Sequence, residues 1–137
     1  MTINSPHLLI AGSSNMLENI GKTTAYHTKA NVAIGGDIIL YNTEEDVCFL
    51  SYLLNTYKHR KQIVKLSQGS TIRHVYPSTF ENYEIRIPSS VNEQETITQL
   101  FLDIDLEING LERKRDKYIS IKNGMMQKLL TGEIRLK

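Results

Sequence analysis

Basic and polar side chains gather at three places in the first part of the chain. The densest is Lys58-His59-Arg60-Lys61 with Lys65 nearby. Cations at this spacing neutralise several phosphate oxygens together, and binding carried that way falls steeply with salt. The same residues also suit a solvated helix end, where cations offset the C-terminal partial charge. The second group is Gln68, Ser70, Thr71, Arg73 and His74 around Gly69. Glutamine pairs with adenine and arginine with guanine through two hydrogen bonds in a major groove, and hydroxyls hold phosphates. An ordinary turn leading into a strand has the same composition. The third is Lys22, Thr23, Thr24, Tyr26, His27 and Lys29. Here tyrosine can stack or bond a phosphate and histidine can donate, but alternation along an exposed strand accounts for the pattern equally well.

Other chemistries lack their residues. His7, His27, His59, His74 and the single cysteine, Cys48, have no metal-ligand spacing. There is no Asn-Pro-Pro-Tyr methylation motif, no S-adenosylmethionine glycine loop, no phosphate-binding GxxxxGK[ST] loop and no nuclease Asp…Glu-x-Lys set. Asp103 and Asp105 flank an apolar heptad residue and read as helix surface rather than a general acid/base pair. The expectation is therefore no enzyme, no metal and no cofactor. Net charge is +1, so any nucleic-acid contact must come from a local patch. One cysteine cannot form an internal disulfide, which makes a reducing cytoplasm the simplest compartment. The start, Met1 to Ile10, has no Lys or Arg and does not read as a signal peptide. No run reaches the roughly 18 to 20 apolar residues of a membrane span.

The elements that must position these groups change character near Pro88. Thr24 to Ile34 is rich in β-formers, Gly35-Gly36-Asp37 is a turn signal, and Ile38 to Tyr41 reads as a buried strand. Thr43 is placed as an N-cap with Glu44, Glu45 and Asp46 in the first turn. Phe49, Leu50, Leu53, Leu54 and Tyr57 follow at helical spacing, so the expected helix is Glu44 to Tyr57. Ile72 to Tyr76 reads as a short strand. Tyr83, Ile85 and Ile87 alternate with Glu84 and Arg86 as in a half-exposed strand.

Beyond Pro88-Ser89-Ser90 one period runs nearly to the end. Ile97, Ile104, Leu111, Tyr118 and Met125 are spaced by seven, and Phe101, Ile108 and Leu129 each sit four residues after a member of that series. Arg115 and Lys122 stand at the intervening positions. This is a coiled-coil seam with a basic interruption, which limits pairing, sets its register or marks a docking surface. Gly132 is placed as the stop, while Gly110 and Gly124 each cost about 1 kcal/mol inside a helix. From Glu93 to Leu130 such a helix is about 57 Å long. A small domain, with a radius of gyration of roughly 13 Å, cannot cover it, so part of the seam needs a partner helix. The organisation expected is α+β: a small mixed domain over residues 1–90 and a long coiled-coil helix with its tail over 91–137.

The junction carries a more specific signal. Ile85-Arg86-Ile87-Pro88 leads to Glu93-Gln94, Ile97, Asp103-Ile104-Asp105 and Ile108, and the helix closes on Lys122 through Met125-Met126-Gln127-Lys128-Leu129-Leu130-Thr131-Gly132-Glu133-Ile134-Arg135. In this order the strings resemble the distal conserved region of type I restriction-modification specificity subunits. Gly36-Asp37-Ile38-Ile39, Phe49 to Leu54 and Gln68 to Thr71 resemble the later part of that family's target-recognition domain.

The resemblance implies a non-catalytic DNA-reading module. Its DNA contacts would come from Lys22, Thr24, Tyr26, His27, Lys29, Lys58, His59, Arg60, Lys61, Lys65, Gln68, Ser70, Thr71, Arg73 and His74. Its helix would present Ile97, Phe101, Ile104, Ile108, Leu111, Arg115, Tyr118, Lys122, Met125 and Leu129 to a second copy or to a partner. Implied partners are double-stranded DNA, DNA adenine methyltransferase subunits and, through them, a restriction subunit. A full specificity subunit has two recognition domains and two helical regions. With one of each and a short stretch before Thr24, this chain resembles a half-subunit. The alternative is a shortened module that binds protein partners without reading DNA.

Overall fold

A computed structural model describes residues 2–136. In chain order its elements are β1 (Thr2–Ile3), β2 (His7–Ala11), β3 (Ser13–Ser14), β4 (Thr23–Tyr26), β5 (Val32–Ala33), β6 (Ile38–Tyr41), α1 (Val47–Leu54), α2 (Tyr57–Leu66), β7 (Arg73–His74), α3 (Pro77–Phe80) and α4 (Val91–Leu130). The class is α+β with a long terminal helix. The chain divides into two compact units, one ending at Thr98 and the other beginning at Gln99.

The first unit is organised by β2, an apolar run bracketed by Pro6 and Gly12. Leu8 and Ile10 are buried on one face while His7, Leu9 and Ala11 are half-buried on the other, the period of a pleated strand. β2 lies between β4 and β6 in a three-stranded antiparallel sheet. Leu8 pairs with Ala25 and Tyr41, and Ile10 with Thr23 and Ile39. β1 pairs with β5, and β3 with β7, in two small antiparallel ladders. Leu8 and Ile10 pack on Phe49, Leu50 and Leu54 of α1, with Ile85, Ile87 and Ile97 at the margin. A second cluster joins Ile20, Ile63 of α2 and Val75.

Several local expectations are corrected. The expected helix Glu44 to Tyr57 is two helices. Asp46, not Thr43, caps α1 by accepting the Phe49 N–H at 2.8 Å. The chain then breaks at Asn55-Thr56 and α2 starts at Tyr57. Ile38–Tyr41 is a strand, but a sheet-edge one with its two end residues exposed rather than a buried one. The strand expected over Ile72 to Tyr76 shortens to Arg73–His74. Residues 83–87 keep their alternation of half-buried and exposed side chains yet join no ladder, because their apolar face packs on the core without a neighbouring strand in register.

Polar joints fix the edges of this unit. The Asn55 carboxamide accepts the Thr23 N–H at 3.1 Å and donates to the Thr23 carbonyl at 2.7 Å. The Gln94 side chain is 0% exposed. Its Nε2 donates to Glu45 Oε2 at 2.5 Å and to the Pro88 carbonyl at 2.9 Å, and its Oε1 accepts the Asp46 N–H at 3.2 Å. The Glu-Gln pair that begins the helical motif thus contains the residue tying the first turn of α4 to the start of α1.

The second unit is the rest of α4 and its tail. α4 has 40 residues, about 60 Å at 1.5 Å each. It ends where Gly132 takes φ 75° and the Ile134 N–H returns to the Lys128 carbonyl at 2.9 Å. From Phe101 to Met125 the apolar seam is exposed, with Phe101, Ile104, Ile108, Leu111, Tyr118 and Met125 all open. Arg115 is held by Asp116 at 2.9 Å and by Glu112 at 4.0 Å, both on its own helix, and Asp116 raises its pKa.

Candidate nucleic-acid interface

The helix that carries Lys58 to Lys65 begins at Tyr57, where the sequence places a helix end. Its first turn therefore holds Lys58, His59 and Arg60 at the positive end of the peptide dipole, with Lys61 next and no acidic residue there. Like charge at a helix start is unfavourable by some tenths of a kcal/mol per cation. Only Lys65 lies in the last turn, where a cation is favoured. Thr56 makes no side-chain cap bond to α2. Its hydroxyl donates back to the Leu53 carbonyl at 2.7 Å, so the N-cap side chain leaves the first amides of α2 uncapped.

α2 and the start of β4 line an open groove of ≈ 910 Å³. Lys22 and Thr24 line it from the strand side, and Tyr57, Arg60, Lys61 and Lys65 from the helix. Residues far apart in sequence are thus gathered on one concave surface, with Glu18 the acidic member. Arg60 donates through Nη2 to the Glu18 carbonyl at 3.1 Å, and its buried Nη1 has no hydrogen-bond partner among the described residues. Burial lowers the pKa of this guanidinium, which still leaves it a cation. Lys61 Nζ lies 5.7 Å from the centre of the Tyr57 ring. Tyr57 is 80% exposed, although its helical spacing after Leu53 and Leu54 predicts the last apolar residue of the preceding helix. The Asn55-Thr56 pair, a helix stop followed by an N-cap type, was the available signal.

His59 is turned inward. Its ring is buried, and its Nδ1 lies 2.7 Å from the Tyr83 hydroxyl, which in turn donates to Gln62 Oε1 at 3.0 Å. The imidazole is thus the donor to Tyr83. Burial, then Lys58, pushes its pKa down. His59 belongs to the packing between α2 and the 83–87 segment, not to the groove.

The Gln68–His74 group forms a separate hairpin. The Gln68 N–H donates to the His74 carbonyl at 2.9 Å, and the reverse bond is 2.7 Å. Arg73 Nη1 is spent on the Ser67 carbonyl and hydroxyl, 3.1 Å each. The His74 ring stacks on Tyr76 at 6.1 Å. Ser70, Thr71 and Ile72 stand exposed at the tip. Gly69 has φ 109°, and a Cβ there would strike the Ile72 carbonyl.

Of the third stretch, only Lys22 and Thr24 reach the groove along with Thr23. The Tyr26 hydroxyl is buried and has no hydrogen-bond partner among the described residues. His27 and Lys29 are exposed beyond β4. His27 Nδ1 lies 3.7 Å from Cys48 Sγ, and burial, then Asp46, raises that thiol's pKa. Among the described residues no group of three or more His, Cys, Asp or Glu side chains is arranged to hold a metal ion. No described helix is long and apolar enough to cross a membrane.

The family described as "Type I restriction modification DNA specificity domain" matches residues 8–120. The type I restriction enzyme MjaVIII specificity subunit of Methanocaldococcus jannaschii is 28% identical over 102 residues, which cover 74% of this chain and 24% of that protein. The chain thus spans about a quarter of the length of this relative. No solved structure matches it.

Proposed function

The chain belongs to the type I restriction modification DNA specificity domain family, and on that premise we propose that it is a non-catalytic DNA-recognition module. The observation that carries the reading is the groove, where Lys22 and Thr24 from β4 and its approach meet Arg60, Lys61 and Lys65 from α2. Duplex backbone lies along this surface, its phosphates neutralised by the lysines and drawn to the uncapped amides of α2. The Gln68–His74 hairpin is the base-reading element, since a two-stranded ribbon enters a major groove. Gln68, Ser70 and Thr71 are exposed there. Lys58, His27 and Lys29 are outlying phosphate contacts. Tyr26, His59, Arg73 and His74 act by shaping the elements that carry the others.

The long helix supplies assembly. Two copies pair through the seam from Phe101 to Leu129, and a symmetric pair selects a two-part inverted site, because site symmetry mirrors protein symmetry. Methyltransferase subunits dock on this scaffold, flip and methylate the target adenine, and bring any restriction subunit with them.

The test is a salt titration of binding to a random duplex pool, by the chain alone and with its methyltransferase partner, followed by sequencing of the bound DNA. A two-part inverted motif, with affinity falling steeply as salt rises, is expected. Lys61→Ala should weaken binding uniformly across sequences and reduce the salt slope by about one. Tight partner binding with no salt-dependent DNA affinity would replace this reading with that of a protein-interaction module. A monomer in light scattering, with and without the partner, would remove the paired helix.

A further inference from the structure

The hairpin tip holds one apolar side chain, and its surroundings give it no structural task. Ile72 is 52% exposed and belongs to neither core cluster. Single exposed apolar residues are common on protein surfaces, so exposure alone decides nothing. What sets Ile72 apart is how firmly its position is held. The hairpin base is closed by the two Gln68–His74 bonds and by the Arg73 guanidinium on Ser67. The outer strand is tied back to β3 through Ser13 and Ser14 and by the Val75 N–H on the Gly12 carbonyl at 2.9 Å. On the inner side the Ile72 carbonyl lies against Gly69, where no other residue leaves room.

A braced loop therefore presents two hydroxyls, Ser70 and Thr71, beside one branched hydrocarbon. That set matches the edge of a pyrimidine in the major groove. Hydroxyls accept from or donate to base edges and phosphates, while an apolar group gains only from the 5-methyl. Guanine reading by Arg73, the alternative at this tip, is weakened because Nη1 of Arg73 is committed to Ser67.

We infer that Ile72 reads the 5-methyl group of a pyrimidine in the major groove. The inference rests on the DNA-recognition reading above. Thymine and 5-methylcytosine both carry that methyl, and the experiment separates them.

The full chain is used, alone or with its methyltransferase partner, in whichever form enriches a motif from the random pool. Each pyrimidine of that motif is then replaced in synthetic duplexes by thymine, uracil, cytosine or 5-methylcytosine. At one position, removing the methyl should weaken wild-type binding about four-fold, the value of one buried methyl. Ile72→Ala should abolish that difference while leaving affinity for random duplex unchanged. The tighter of the thymine and 5-methylcytosine duplexes identifies the natural base. An enriched motif in which no methyl matters, or in which Ile72→Ala keeps the full methyl effect, overturns the inference and leaves DNA recognition standing. Binding without any enriched motif overturns both. Because Ile72 is exposed, the variant should keep the wild-type melting midpoint, and the uracil arm leaves the protein untouched.

Discussion

The two units treat apolar side chains in opposite ways. Among the described residues all ten buried apolar side chains lie between Ile3 and Val75, and none follows Gln99. The second unit instead displays a heptad of exposed Ile, Leu, Tyr and Met. A residue type thus means different things on the two sides of Thr98. In the first unit it holds the fold together. In the second it lies on the surface.

The largest expected effect separates these roles directly. Leu8→Ala removes a side chain that is 1% exposed and should cost about 3 kcal/mol in urea denaturation. Leu111→Ala, at 58% exposure, should stay within about 0.5 kcal/mol in dilute solution while weakening self-association in sedimentation. Equal losses of stability would break the contrast.

A second substitution sharpens it at the polar joint of the first unit. Gln94→Leu leaves the Glu45 carboxylate, the Asp46 N–H and the Pro88 carbonyl without their partner, and should cost about 2 kcal/mol by chemical denaturation. An unchanged midpoint would show that packing of Ile97 alone seats the helix start.

The smallest effect is one of pH. Burial lowers the folded-state pKa of His59 below its ordinary value. The unfolded chain then binds the proton first, so this contribution is full above the unfolded pKa of roughly 6.5 and is lost as pH falls from there towards the folded pKa. Wild type should lose more stability than His59→Gln between neutral pH and pH of about 5. Parallel pH curves would mean the ring titrates as freely as in the unfolded chain.

What was legible in the sequence follows the same division. The long helix was readable because a period repeated over many turns outweighs any local ambiguity, and its glycine stop was placed correctly. The first unit was read in parts. The alternation of Tyr83, Ile85 and Ile87 gave the buried face but not the absence of a ladder, which depends on what lies alongside. β2 was missed, although Pro6 and Gly12 frame the four apolar residues Leu8 to Ala11. The α1–α2 break was hidden because Tyr57 continues an apolar period that the backbone abandons at Asn55. For the candidate site, the basic and polar clusters were visible, but their grouping was not. The groove joins two of them across most of the first unit and separates the third. Inward-turned His59 looks no different in sequence from its exposed neighbours.

The Asn55 carboxamide stands in for a strand. It occupies both the donor and the acceptor of Thr23 at the outer margin of the sheet, where an open backbone would invite another chain to join by edge pairing. The Ser51 hydroxyl donates to the same carbonyl at 3.3 Å, and Thr23 is buried, so α1 covers this margin with more than one polar bond. Hydrolysis of that amide during storage would turn its donor into a second acceptor facing the Thr23 carbonyl. The chemical ageing of a single asparagine would then set two acceptors against each other at the joint between α1 and β4.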